Sequence, residues 1–298
     1  MNNTSYEASL TIGIIGLGAI GCLISSQLPK NSKIFALPRN PLQKSTFFEL
    51  EDRTYEWPTW QGEALDILLV CCKASQTIQA LQQWKDAISL ETQIVLLQNG
   101  LGQHQLIAKA FPQNTLFAAS TTEGAFRSHT HKVTHAGIGQ TQWGYYSGKK
   151  EPFKLPLTSL KGKHAWSDNI KQTLLDKLAI NAIINPLTVK YQCKNGELLT
   201  QPEALLEFKA LCIEVDSFFR QVDYSISFNL FEKAQSIAQL TANNYSSMLQ
   251  DIRNNRLTEI DFINGHLLNE ASKYAIDMPI STTLLKLVKF HEQKNKIC

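Results

Sequence analysis

The chain has 298 residues, 43% of them hydrophobic and 18% charged, and carries a net charge of +3. That length suits about two domains, and the composition is that of an ordinary soluble globular protein with ample apolar material for a core. The charge is small and its basic residues are scattered, which argues against a nucleic-acid partner.

Cys22, Cys71, Cys72, Cys193, Cys212 and Cys298 show no paired spacing of the kind that builds a zinc site. Adjacent Cys71 and Cys72 end an apolar run and read as small hydrophobes, so a reduced, cytoplasmic compartment is expected. Leu10 to Leu28 carries no charge. It lacks a preceding basic segment, however, and glycines recur at 13, 16, 18 and 21, so it reads as neither a signal peptide nor a membrane span.

The same run reads as a strand, Thr11–Ile15, a glycine turn, and a helix from about Ala19 to Leu28. Gly16-Leu17-Gly18-Ala19-Ile20-Gly21 has the spacing of a dinucleotide-binding turn. Gly16 permits the tight turn, Gly18 lets backbone approach a pyrophosphate, and Gly21 allows close helix–strand packing. The helix N-terminus then faces the phosphates. The next strand, Lys33–Leu37, ends in Pro38-Arg39-Asn40. An NAD-preferring site usually has an acid ~20 residues beyond the glycines to accept the ribose hydroxyls. Arg39 stands here instead and suits a 2′-phosphate, favouring NADPH; the plain alternative is an exposed loop arginine.

Strand and helix patterns go on alternating. Asp66–Cys72 and Thr92–Leu97 read as buried parallel strands, Ser75–Trp84 and 103–111 as helices, and Thr115–Ser120 as a further strand. This is a doubly wound α/β sheet of Rossmann type, whose ligands bind beyond the carboxyl ends of the strands. Lys73 and Asn99 stand at two such ends. Lys132–Ala136 and Thr141–Gly144 are expected as antiparallel edge strands. His129, His131 and His135 invite a metal reading, but His129-x-His131 enters a strand with no clustered carboxylate or thiolate, so a metal site is not expected.

From about Ser167 the pattern becomes helical, with helices expected over 167–190, 203–222, 230–253, 258–274 and 281–294. The expected division is 1–163 for the cofactor-binding domain and 164–298 for an all-α domain, with a cleft left between them. Lys177, Asn181 and Asn185 recur every four residues, a step that rotates only ~40° on a helix, so their polar tips form one row. Leu175, Leu178, Ala182 and Ile183 fall on another face and read as core. Such a row can hold something small and oxygen-rich, or can simply be solvated. Thr258 with Asp261 suggests an N-cap pairing that places Glu259 in a helix's first turn, with Ile260, Ile263 and Leu267 buried.

Taken together, Gly16–Gly21, Arg39, Lys73, Gln98-Asn99-Gly100, the Lys177–Thr188 segment, Asn195-Gly196, Ser246-Ser247-Met-Leu-Gln-Asp251, Thr258-Glu259-Ile-Asp261 and Asn264-Gly265 resemble the ketopantoate reductase (2-dehydropantoate 2-reductase) family over nearly the whole length. The resemblance implies a C-terminal domain of the 6-phosphogluconate dehydrogenase C-terminal-like type. It also implies NADPH-dependent reduction of 2-dehydropantoate to (R)-pantoate, a step towards pantothenate and coenzyme A. By similarity, Lys177 is the general acid and Glu259 orients it. Asn99, Asn181, Asn185, Asn195 and Ser247 are implied to bind the substrate. The glycine turn, Arg39, Lys73, Asn99 and Glu259 are implied to contact the cofactor. A keto-acid substrate is the expected partner, with a homodimer left open. The rivals are a related reductase of another 2-keto acid, imine or sugar-phosphate ketone, and a non-catalytic nucleotide sensor.

Overall fold

The computed structural model describes residues 9–297, with side chains to 294, so Cys298 lies outside the described residues. The chain divides into two compact units. One contains the residues up to Gln98 together with Gln103–Lys171; the other contains Asn99–Gly102 and the residues from Gln172 onward.

The first unit is built on β1 (Thr11–Ile15), β2 (Lys33–Leu37), β5 (Ile67–Val70), β6 (Gln93–Leu96) and β7 (Leu116–Thr121), all parallel, in the spatial order β2-β1-β5-β6-β7. Helices α1 (Ala19–Gln27), α2 (Thr77–Gln83) and α3 (Gln103–Ala110) lie between successive strands in sequence. Ile67, Leu68, Leu69 and Val70 are all 0% exposed, as strands covered on both faces must be, which is why their sequence is unbroken apolar. The chain runs from β1 outward to β2 and then returns to β5 on β1's other side, which creates a topological switch at the carboxyl ends of β1 and β5.

Two of the expected edge strands are not edges. β10 (Thr141–Ser147) pairs antiparallel with β7, but β11 (His164–Trp166) adds outside it. β9 (Lys132–Gly137) leaves the main sheet altogether. It lies between β3 (Ser45–Leu50) and β8 (Gly124–Arg127) in a second sheet of order β4-β3-β9-β8, with β4 spanning Arg53–Pro58. Phe48, Leu50 and Val133 of this sheet pack on Cys22 and Leu23 of α1, giving that helix a second buried face. A strand with partners on both sides and an apolar neighbour to cover cannot remain at a margin.

The second unit is helical: α4 (Ile170–Tyr191, its first two residues belonging to the first unit), α5 (Pro202–Gln221), α6 (Leu230–Leu240), α7 (Ser247–Arg253), α8 (Asn264–Lys273) and α9 (Pro279–Ile297). The helix expected over 230–253 is two. Residues 241–246 turn instead, because the backbone N–H groups of Asn195 and Gly196 take the carbonyls of Asn244 (3.0 Å) and Ala242 (3.2 Å), and Ser246 starts α7 by accepting from Leu249 N at 3.1 Å. The start of the 258–274 segment also differs. A 3-10 turn over Ile260–Phe262 precedes α8, and Thr258 bonds Glu292 rather than pairing with Asp261, whose carboxylate meets Lys289. Glu259 therefore sits just ahead of a 3-10 turn, not inside an α-helix, while Ile260, Ile263 and Leu267 are buried as expected. Among the described residues no helix is long and apolar enough to cross a membrane.

Candidate active site

In the first unit the three glycines divide their work. Gly16 has φ +87°, and a Cβ there would lie 2.3 Å from Cys72 N; one on Gly21 would lie 2.2 Å from Gly16 O. Both are glycine because the protein itself leaves no room. Gly18 has an ordinary φ of −74°, and a Cβ there would meet nothing within 4 Å. Neither backbone nor packing demands glycine at 18, so the space in front of it is available to an approaching ligand. α1 begins directly after Gly18 with no acid in its first turn, leaving its positive end for an anion.

Beside the turn is a cleft of about 470 Å³ lined by Gly16, Leu37, Pro38, Arg39, Cys72, Gln76 and neighbouring residues of α2, none of them acidic. Its size falls within the ~300–1,000 Å³ of small-molecule sites. Arg39 is exposed at this cleft, and the carbonyl of its own residue and that of Pro38 accept from Gln83 Nε2 at 3.0 and 3.2 Å. Two side chains without a sequence motif fix this corner, Gln83 at the end of α2 and Trp84 just beyond it, whose Nε1 donates to Pro38 O at 3.2 Å. Cys72 lines the cleft instead of simply filling core, whereas Cys71 packs against the main core, and burial pushes its thiol far up. Leu17 packs on the core, and Ala19 and Ile20 open α1. Lys73 precedes a short 3-10 turn, its carbonyl accepting from Gln76 N at 2.9 Å. The residues present thus fit a dinucleotide: an open glycine backbone, a helix N-terminus and a cation at an acid-free cleft.

In the second unit, Lys177, Asn181 and Asn185 all lie on α4. Lys177 is half-buried, and its pKa is lowered to about 8. Burial is the main cause, and the nearby Glu259 carboxylate pulls partly the other way. Glu259 in turn accepts from Asn99 Nδ2 at 3.1 Å across 160 residues of sequence. Gly100, with φ +81°, makes that approach possible: a Cβ there would lie 2.3 Å from Phe262 O, and Leu101 N donates to the same carbonyl at 2.8 Å. Asn99, Lys177 and Glu259 therefore form one group.

Asn185 is 6% exposed and Asn195 7% exposed. Asn195 belongs to a neighbouring cluster, its Nδ2 donating to Thr241 Oγ1 at 2.9 Å, while its Oδ1 is buried without a partner among the described residues. Ser247 is exposed at the first position of α7. The Ser246 hydroxyl beside it is buried 2.6 Å from that of Thr188, which donates to Asn185 O at 2.7 Å. With the Thr188 proton so used, Ser246 donates to Thr188, tying the start of α7 to the Asn185 turn of α4. Thr188 and Ser246 were visible in the sequence only as parts of longer motifs. His135 meets Glu123 at 2.6 Å, and among the described residues no three potential metal ligands cluster.

Family models described as ketopantoate reductase PanE/ApbA and its C-terminal domain match residues 12–148 and 169–292. A 2-dehydropantoate 2-reductase of Vibrio cholerae is 31% identical over 95% of this chain and 98% of its own. The chain belongs to the ketopantoate reductase family. A solved structure of a probable 2-dehydropantoate 2-reductase from Bacillus subtilis, 27% identical, covers 95% of this chain and 100% of its own with a TM-score of 0.80. A D-mandelate dehydrogenase solved with NADH and anilino(oxo)acetate shares the fold, with TM-score 0.84, 22% identity and coverage of 96% and 100%. Membership in the ketopantoate reductase family makes the chain an oxidoreductase that uses a nicotinamide cofactor.

Proposed function

We infer that the protein reduces the ketone of 2-dehydropantoate to (R)-pantoate, with NADPH as the hydride source. The observation that carries this reading is half-buried Lys177, close enough to Glu259 to feel its charge, on the helix that also bears Asn181 and Asn185.

Bound NADPH supplies a hydride to the carbonyl carbon, and the oxygen then needs a proton. Lys177 answers that need: its ammonium donates to the ketone oxygen and its attraction grows as the oxygen becomes an alkoxide. A pKa near 8 keeps the amine protonated at neutral pH and ready to release its proton. Glu259 aims the ammonium, and Asn99 aims Glu259. Asn181, Asn185, Asn195 and Ser247 offer neutral hydrogen bonds to the substrate's carboxylate and hydroxyl. On the cofactor side, Gly16–Gly21, Lys73, Asn99 and Glu259 are assigned contacts, and Arg39 the 2′-phosphate. The acid-free cleft around Arg39 supports NADPH over NADH.

The test is to supply purified protein and NADPH with 2-dehydropantoate and a panel of other 2-keto acids. Oxidation of NADPH fastest with 2-dehydropantoate is expected. A different preferred acid would move the reading to a sister reductase, and cofactor binding without turnover would leave a sensor. In the same assay Arg39→Ala should raise KM for NADPH about tenfold or more, on the scale of a lost charge-assisted contact, and leave that for NADH nearly unchanged. Equal effects on both would remove the 2′-phosphate assignment.

A further inference from the structure

Helix α4 contains a break, one residue beyond Asn181, that its own backbone cannot mend. Pro186 lies inside the helix and has no N–H, so the carbonyl four residues earlier, Ala182, loses its helical partner. Ala182 is 0% exposed, which keeps water from replacing it. The donor comes from elsewhere: Asn264 Nδ2 lies 3.0 Å from Ala182 O, across 82 residues of sequence. Asn264 is itself 0% exposed and is the first residue of α8.

The location joins two parts of the candidate site. Ala182 follows Asn181 directly and precedes Asn185 by three residues. Asn264 follows Glu259 through a 3-10 turn in which Phe262 N and Ile263 N both donate to Glu259 O, at 3.0 and 3.1 Å. We propose that Asn264 is a positioning residue whose amide stands in for the missing helical bond of α4 and so keeps the turn that carries Lys177, Asn181 and Asn185 in helical register. This rests on the reading of Lys177 as acid and Glu259 as its partner.

A second observation sharpens the argument. Because Ala182 O needs a donor, the Asn264 amide must present its nitrogen there, and its Oδ1 is then buried with no partner among the described residues. A buried, half-satisfied amide is less favourable than an apolar side chain of the same size. Filling space beneath a helix does not call for asparagine; donating to one carbonyl does.

Asn264→Leu keeps the branched shape and the number of heavy atoms and removes the donor, while Pro186→Ala returns an N–H to Ala182 O from within the helix. In the full-length protein without ligands, Asn264→Leu should speed amide hydrogen exchange in α4 around residues 180–187, and adding Pro186→Ala should restore protection. In turnover, Asn264→Leu should lower kcat at least tenfold with KM for NADPH within twofold of wild type. In the Pro186→Ala background the same change should cost less than threefold. Unaltered exchange, or an equal loss of kcat in both backgrounds, overturns the proposal, and so does faster exchange with kcat intact, which leaves Asn264 a purely structural role. Should Asn264→Leu fail to fold, the double variant decides: folded and active supports the substitute-donor role, unfolded rejects it. Lys177→Ala, measured alongside, separates the two levels, since full turnover there removes the functional reading while hydrogen exchange still judges the substitute bond.

Discussion

Lys177 occupies an environment that no surface lysine has. Burial disfavours its charged form, and Glu259 restores part of what burial removes, which leaves a pKa of about 8 instead of the ordinary 10.5. A cationic acid is present below its pKa and lost above it, so kcat for ketone reduction should fall as pH rises through about 8. Glu259→Gln removes the charge that raises the pKa, and the falling limb should move to lower pH, as a pH–rate profile would show. A limb that stays put would mean Glu259 does not act on this amine. Lys177→Ala should lower kcat by roughly 10²–10⁴-fold at pH 7, the range for loss of a general acid. The four-residue spacing was enough to place Lys177, Asn181 and Asn185 together on α4, because helical period is a local property. It could not show that burial lowers the pKa of the amine.

The glycine turn separates fold from function within a single element. Gly16→Ala meets Cys72 N at 2.3 Å and a positive φ, and should cost more than ~2 kcal/mol of stability. Gly18→Ala meets no protein atom within 4 Å. Its melting temperature should match wild type while cofactor affinity drops about tenfold or more, since the added methyl group enters space reserved for ligand. Thermal melts and cofactor titration of the two variants would check this, and a Gly18→Ala protein that binds cofactor normally would contradict it. The β3–β4 hairpin shows what pattern-reading missed at this scale. Phe48 and Leu50 alternate with Glu49 and Glu51, a usable strand signal, but the Glu51-Asp52 turn lacks the glycine that usually marks a tight hairpin. The positive φ of 54° at Glu51 confirms that a non-glycine residue makes that turn.

Across the molecule, the site depends on residues far along the chain. Glu292 on α9 is 5% exposed, and its Oε1 accepts from both Thr258 N and Thr258 Oγ1 at 2.7 Å. It therefore fixes the residue immediately before Glu259. Glu292→Ala would leave a buried N–H and hydroxyl without their acceptor, and should destabilise the protein by about 2–3 kcal/mol. It should also lower kcat, because Glu259 loses its anchored neighbour. Denaturant unfolding with parallel turnover measurements would test both, and loss of stability with kcat untouched would show that α9 does not govern the site.

Several parts of this protein were written locally. The apolar runs of β1, β5 and β6, the division of labour among Gly16, Gly18 and Gly21, and the polar row on α4 all follow from neighbouring residues and the periods of strand and helix. Other parts were not. Asn99 meets Glu259 across 160 residues and Asn264 meets Ala182 across 82. Thr258 finds Glu292 rather than Asp261, and β9 joins a second sheet. Each of these depends on which distant groups arrive with matching donors, acceptors or apolar surface, and a sequence lists those groups without saying which will meet. Only the folded chain, which must pair its buried polar groups and cover its apolar faces together as far as it can, makes that choice.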